Sequence, residues 1–563
     1  MAIELTEELK REIGQHFVFG FHGHEVSEDI KTLIADYYVG NVILMKRNVL
    51  DIEHLSDIVK KLQLLARDAG HAQPLMIGID QENGLVSAFS AGECGTQFPG
   101  AMALAATGSV ELAEEVTAAS AQEMKLAGIN WAYSPVADVN SDPSNPVIGV
   151  RSFGDDPREV AKYVCAASEG LTKTGIAPCP KHFPGHGNTH VDSHLSLPRI
   201  MRKRDQLDAT ELVPFKALIE KGVATIMTGH MALPLITGDD TPCSLSRKIT
   251  TDLLRDELKY DGVIVTDCLE MEAVAAKYGS EGGAVAALQA GADIVMICHT
   301  MQRQKGAIEA AYAAVREGRI SLDELRRSGQ RIAALKASFT HPKVDFTDAK
   351  HLDMHQWEVM KEEHLALAKH AYASATTVLW DPESVLPLRG HAKHHLVVVF
   401  TPRMESINLA VDEPETEGVL RDGAGRVRNT AGPSYYAFAA AIAARAPAQH
   451  IVYAPEAALS HMEAQYLEEA SAVVFATRNA FGKGAWQLEC FRHVLQRIEN
   501  KKLVVVSTCA PYDVLDLKDS SEFGLAGAAV CATMEFTVPA MEAMAEVIFG
   551  EAEAKGTVPV HLG

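Results

Sequence analysis

The chain has 563 residues, of which 47% are apolar and 22% charged, and its formal charge is −22. These proportions exclude a disordered or low-complexity protein, and the length exceeds one ordinary domain. So large a negative charge repels nucleic-acid phosphates and anionic membrane surfaces, which leaves a small neutral ligand as the expected partner.

The opening stretch, MAIELTEELKREIGQHF, interleaves charged and apolar residues and has no secretory leader pattern. No apolar run is long enough for a membrane span. Nine cysteines lie scattered without CxxC pairs, as expected of reduced thiols in a cytoplasm. Most are read as small hydrophobes.

From about residue 15 to 340 one unit recurs: a short apolar run, a polar tip, then a stretch of helical period. The runs are Phe17–Phe21, Asn41–Met45, Pro74–Asp80, Asn130–Val139, Ala177–Phe183, Ala224–His230, Asp261–Asp267 and Asp293–Cys298. Stretches such as VELAEEVTAASAQEMKLAG and REVAKYVCAASEGLTKTG lie between them and end in a helix-stopping glycine. Eight such units predict an N-terminal (β/α)8 TIM-type barrel over 1–340; a doubly wound sheet is the alternative. Residues 341–374 read as a linker. Further apolar runs, His395–Phe400, Ile451–Tyr453, Ala472–Ala476 and Leu503–Ser507, predict a smaller three-layer α/β/α sandwich domain over 375–563.

In a barrel the strand tips line one functional face. Asp80, Asp138, Lys181, His182, His230 and Asp267 all fall at tips; any one of them could be a turn or helix cap, but together they point to a site. The densest segment, KHFPGHGNTHVDSH over 181–194, carries histidines at 182, 186, 190 and 194. Their spacing of four would suit a zinc-binding helix, but Pro184, Gly185 and Gly187 oppose a helix there. The segment therefore reads as a catalytic loop after a strand, and no metal is assigned. Arg151, in NPVIGVRSFGDDP, could fork hydrogen bonds to a ligand, although a lone arginine more often forms a surface ion pair.

KHFPGHGNTHVDSH, with IGIDQENG, FPGAMALAAT, NPVIGVRSFGDDP, VATIMTGH, DGVIVTDCLEM and AGADIVMI in the same order, resembles glycoside hydrolase family 3, in its β-N-acetylglucosaminidase branch. The resemblance covers residues 10–340 and continues more weakly through TVPAMEAMAEVIFGE. It implies a retaining exo-β-N-acetylglucosaminidase that takes terminal β-linked GlcNAc from short glycosides. Asp267 corresponds to the nucleophile, His194 to the general acid/base and Asp192 to its partner. Asp80, Arg151, Lys181 and His182 correspond to residues that hold sugar hydroxyls, and Met227 and His230 to residues near the pocket. No cofactor is implied, and the partner is a neutral amino-sugar glycoside.

Leu85 and Ala88 stand where the family commonly has arginines, and Cys268 where a second aspartate often follows the nucleophile. These departures make chitobiose-like glycosides as suitable a substrate as cell-wall fragments. Two other readings stay open: a phosphorylase, in which phosphate replaces water, and a non-catalytic sugar-binding protein. The second domain could border the site, form a homodimer or stabilise the barrel.

Overall fold

A computed structural model of the chain describes residues 3–90, 94–193, 196–347, 352–388, 395–403, 431–455, 459–498, 501–515 and 525–561. Two compact units emerge. The first comprises 1–97, 113–148 and 155–365, and the second 98–112, 149–154 and 366–563. The stretch expected as a linker holds helix Met354–Ala375, and two short pieces of the first 154 residues pack with the second unit.

In the first unit, strands β1 (Phe17–Phe19), β2 (Asn41–Leu44) and β3 (Met76–Ile79) are followed by a hairpin of β4 (Gln81–Asn83) and β5 (Val86–Ser87). Then come β6 (Trp131–Ala132), β7 (Ala177–Pro178), β8 (Thr225–Thr228), β9 (Val263–Cys268) and β10 (Ile294–Ile297). Without the hairpin, the strands pair in parallel in the order β7-β6-β3-β2-β1-β10-β9-β8. Beyond β7, the Phe183 N–H donates to the Met227 carbonyl at 2.8 Å and the Gly229 N–H to the Phe183 carbonyl at 3.0 Å, which brings the two ends of the sheet together as a nearly closed barrel. Each of the eight apolar runs coincides with one of these strands, β9 extending one residue past its run to Cys268.

The barrel is filled rather than hollow. Val18, Ile43, Met76, Trp131, Tyr133, Met227, Val265 and Met296 pack inside it, and Trp131 Nε1 donates to Thr225 Oγ1 at 3.0 Å. Residues of opposite parity, such as Phe17, Phe19, Val42, Leu44, Ile77 and Ile79, face outward to the helices, as two-residue periodicity requires. Helices Val110–Leu126 and Pro157–Lys173 stop ahead of Gly128 and Gly175, whose φ values of +90° and +81° suit glycine. At the N-terminal end, the fully buried Asp293 accepts from Arg255, Arg331, Ser328 and the Ile264 N–H, tying helices to the base of the barrel.

The second unit is built on β11 (Thr377–Trp380), β12 (Val397–Pro402), β13 (Ala448–Tyr453), β14 (Ala472–Thr477), β15 (Lys502–Ser507) and β16 (Ala529–Ala532). The sheet order is β11-β16-β15-β14-β12-β13, with β11 antiparallel and the rest parallel. Chain order reverses beside β12, so right-handed crossovers place helices on both faces. Accordingly, helices Gly432–Ala443 and Val538–Ile548 pack together. This is the three-layer sandwich that the alternating pattern predicts. Among the described residues no helix is long and apolar enough to cross a membrane.

Candidate active site

Parallel strands send all their C-terminal ends to one face, so residues just beyond β3, β7 and β9 share it. Asp80 follows β3, Lys181 and His182 lie just past β7, and Asp267 sits at the end of β9. Burial pushes the Cys179 thiol, inside the barrel, up to about 12, and the charges acting on it include Lys181, Asp80 and Asp267. Asp80, Lys181 and Asp267 thus stand at C-terminal strand ends of the same barrel.

Lys181, 3% exposed, places Nζ 2.6 Å from Asp80 Oδ1 and 2.7 Å from Glu82 Oε1. One buried ammonium thus faces two carboxylates, which fixes the direction of the Asp80 side chain. Glu82 does not figure in the sequence-based site. Its signal is its place in IGIDQENG, two residues past Asp80 and on β4, where the hairpin returns it to Lys181.

His182 Nδ1 is 2.7 Å from Asp138 Oδ2. Asp138, fully buried, also accepts the backbone N–H groups of His182 at 3.1 Å and His186 at 2.7 Å through Oδ1. A carboxylate on Nδ1 fixes the ring's tautomer and orientation, so Asp138 organises both the imidazole and the loop behind it. As a strand tip it is legible in the sequence, but its partners are not.

The loop after His182 is irregular, as its Pro and Gly residues predict. A Cβ at Gly187 would overlap the Val139 carbonyl, and Gly185, at φ +131°, lies against the Glu211 side chain. Both glycines serve close packing. The loop histidines take separate partners: His186 Nε2 lies 3.1 Å from Ser193 Oγ, and His190 Nδ1 2.9 Å from Asp142 Oδ2. Asp192 is buried in the same loop at 7% exposure, while His194 lies outside the described residues.

Asp267 is partly exposed, and its Oδ1 accepts the Cys268 N–H at 2.7 Å. His230 is fully buried, with Nδ1 2.7 Å from Ser244 Oγ and Nε2 2.9 Å from the Cys268 carbonyl. It therefore braces the end of β9, on the residue after Asp267. Met227, 3% exposed, lies in the barrel interior. Arg151 ends the short 3-10 helix Gly149–Arg151, which belongs to the second unit, so it is not grouped with the barrel residues.

Comparison with known proteins agrees with this architecture. The family model described as glycosyl hydrolase family 3, N-terminal domain, matches residues 8–335. A β-hexosaminidase A of Pseudoalteromonas piscicida is 29% identical over 566 residues, spanning 94% of this chain and 90% of that protein. The solved family 3 β-N-acetylglucosaminidase of Paenibacillus sp. str. FPU-7 superposes with a TM-score of 0.82 at 32% identity and 99% coverage of both chains. A fungal multi-domain family 3 β-N-acetylglucosaminidase gives a TM-score of 0.87 at 36% identity over 98% of this chain. The present chain spans 61% of that longer one. With barrel, strand-tip charges and matched segments in agreement, the chain belongs to glycosyl hydrolase family 3 and is a glycoside hydrolase.

Proposed function

We propose that the chain is a retaining exo-β-N-acetylglucosaminidase that releases terminal β-linked GlcNAc from short glycosides. The observation that carries this reading is the Asp80–Lys181–Glu82 cluster just past β3 and β7, on the C-terminal face that also bears Asp267 at the end of β9. It supplies fixed charged partners for sugar hydroxyls around a carboxylate at a strand end. Neutral sugars offer little apolar surface, so such directional partners dominate their recognition. The names of the similar proteins, β-hexosaminidase and β-N-acetylglucosaminidase, support the choice of sugar.

In this mechanism the Asp267 carboxylate attacks the anomeric carbon while His194 protonates the departing glycosidic oxygen. The bond to the aglycone breaks and a glycosyl-Asp267 ester forms. His194, now neutral, takes a proton from water, which attacks the anomeric carbon and frees Asp267. Asp192 orients the imidazole and stabilises its charged form. Asp80, Lys181 and His182 bind the sugar, Met227 lines the floor and His230 steadies the segment bearing Asp267.

The test is incubation with an aryl β-N-acetylglucosaminide and the matching β-glucoside, with and without phosphate, following product identity and initial anomeric configuration by NMR. Free GlcNAc released first as the β-anomer, with little glucoside turnover, supports the reading. GlcNAc-1-phosphate would make the protein a phosphorylase, and α-anomer would remove the covalent intermediate.

A further inference from the structure

Beyond glycoside cleavage, we infer that Cys268, Cys298 and His299 form a binding site for a thiophilic d10 cation of the zinc class. Cys268 ends β9, and Cys298 and His299 follow β10, its parallel neighbour, so both thiols and the imidazole sit at adjacent tips on the barrel's C-terminal face. Their donor atoms all lie within 4.8 Å of one another. Tetrahedral coordination with Zn–S bonds of ~2.3 Å places two sulfurs about 3.8 Å apart, so the cluster need contract by only about 1 Å. Two thiolates and an imidazole select zinc, cadmium or copper(I) over calcium or magnesium.

A fourth position is at hand. Glu270 Oε2 lies 4.0 Å from Cys268 Sγ, and the carboxylate is held at this tip by the N–H groups of His299 at 2.6 Å and Thr300 at 3.1 Å. Glu270 or a water completes the tetrahedron. Cys268 and Cys298 are 8% and 3% exposed, which shelters the sulfurs, while His299 lies at the solvent-facing edge and offers an entry path. Binding exchanges each S–H proton for a metal–sulfur bond and releases those protons to solvent. The Cys268 N–H is bonded to Asp267, so an occupied site shifts the end of β9 and slows any chemistry that uses this carboxylate.

The experiment uses the full reduced chain, stripped of metal by a chelator and titrated with cadmium while the ultraviolet thiolate-to-cadmium charge-transfer band is followed. Zinc affinity is measured in parallel by competition with a chromophoric chelator. A saturable band that Cys298→Ser reduces, with zinc binding weakened at least about tenfold in His299→Ala, supports the site. His299→Ala keeps both buried thiols, so it decides the question even where Cys298→Ser does not fold. No saturable band, or zinc affinity unchanged in His299→Ala, overturns the inference. In an aryl glycoside assay zinc slows the wild type and spares His299→Ala, and equal slowing of both proteins also overturns it. The cadmium and zinc measurements need no turnover, so they stand apart from the reading of Asp267 as a nucleophile.

Discussion

In the barrel, charged residues beyond the strands are bound to one another: Lys181 sits between Asp80 and Glu82, and His182 against Asp138. The second unit treats its carboxyl groups differently. Glu535, just past β16, accepts the Gly100 and Phe536 N–H groups at 2.8 and 2.9 Å, and burial pushes it up to about 7 against the pull of those amides and of Arg478. Asp513 accepts the Ala480 N–H at 2.9 Å and burial pushes it up to about 6. One set of strand ends pairs oppositely charged side chains. The second unit instead buries carboxyl groups, and that burial raises both above their ordinary values. Paired charged side chains at a barrel mouth can bind a substrate's hydroxyls, whereas the Glu535 and Asp513 carboxyls hold backbone amides of their own unit in place.

The largest expected effect tests whether chemistry belongs to the barrel tips. Asp267→Ala lowers kcat/KM on an aryl β-N-acetylglucosaminide at least about ten-thousandfold, the scale of losing a nucleophile, with folding unchanged by circular dichroism. A loss under about tenfold would move the chemistry elsewhere. Next, Lys181→Met strands Asp80 and Glu82 without their cation and costs about 3–5 kcal/mol in denaturant unfolding of the barrel. A cost near zero would show that the pairing is not what holds these charges.

Two smaller effects separate the units by pH. Lys336, fully buried at the base of the barrel, donates to Gln15 Oε1 and the Gly40 carbonyl, and burial lowers it from 10.5 to about 7. The folded barrel releases this proton near pH 7 and the unfolded chain only near 10.5, so barrel stability rises across that window by on the order of 4 kcal/mol. Lys336→Met removes that slope, which thermal unfolding at a series of pH values would detect. Glu535 acts in the opposite sense. Its ordinary value is 4.5, so between pH 4.5 and about 7 the unfolded chain has lost the proton that the folded unit keeps. The second unit therefore loses on the order of 3 kcal/mol as pH rises through that range, and Glu535→Gln flattens the loss. A wild type and variant that run parallel with pH would show Glu535 ionised, erasing the contrast between the units.

Much of the barrel is legible in the sequence because its signals are local. Most strands are short apolar runs ending in a polar tip, and helices such as Val110–Leu126 and Pro157–Lys173 stop ahead of a glycine whose backbone angle suits no other residue as well. Asp80, Asp138, Lys181, His182 and Asp267 could be named as tips for the same reason. The KHFPGHG segment is legible too, since Gly185 and Gly187 are demanded by close packing on Glu211 and Val139. His230, also read as a tip near the pocket, lies just past β8 and braces the end of β9 through Ser244 and the Cys268 carbonyl.

By itself the sequence determined the eight-strand periodicity, the second α/β layer and the order of the family-like segments, all of which depend on neighbours within a few residues. Tertiary structure decided which distant groups meet. Lys181 reaches carboxylates about a hundred residues earlier, residues 98–112 and 149–154 join the second unit, and Cys268 meets Cys298 and His299 across two strand tips. These meetings follow from strand order and register. Register is set by how the whole barrel closes around its filled interior, and no local stretch of chain carries that constraint.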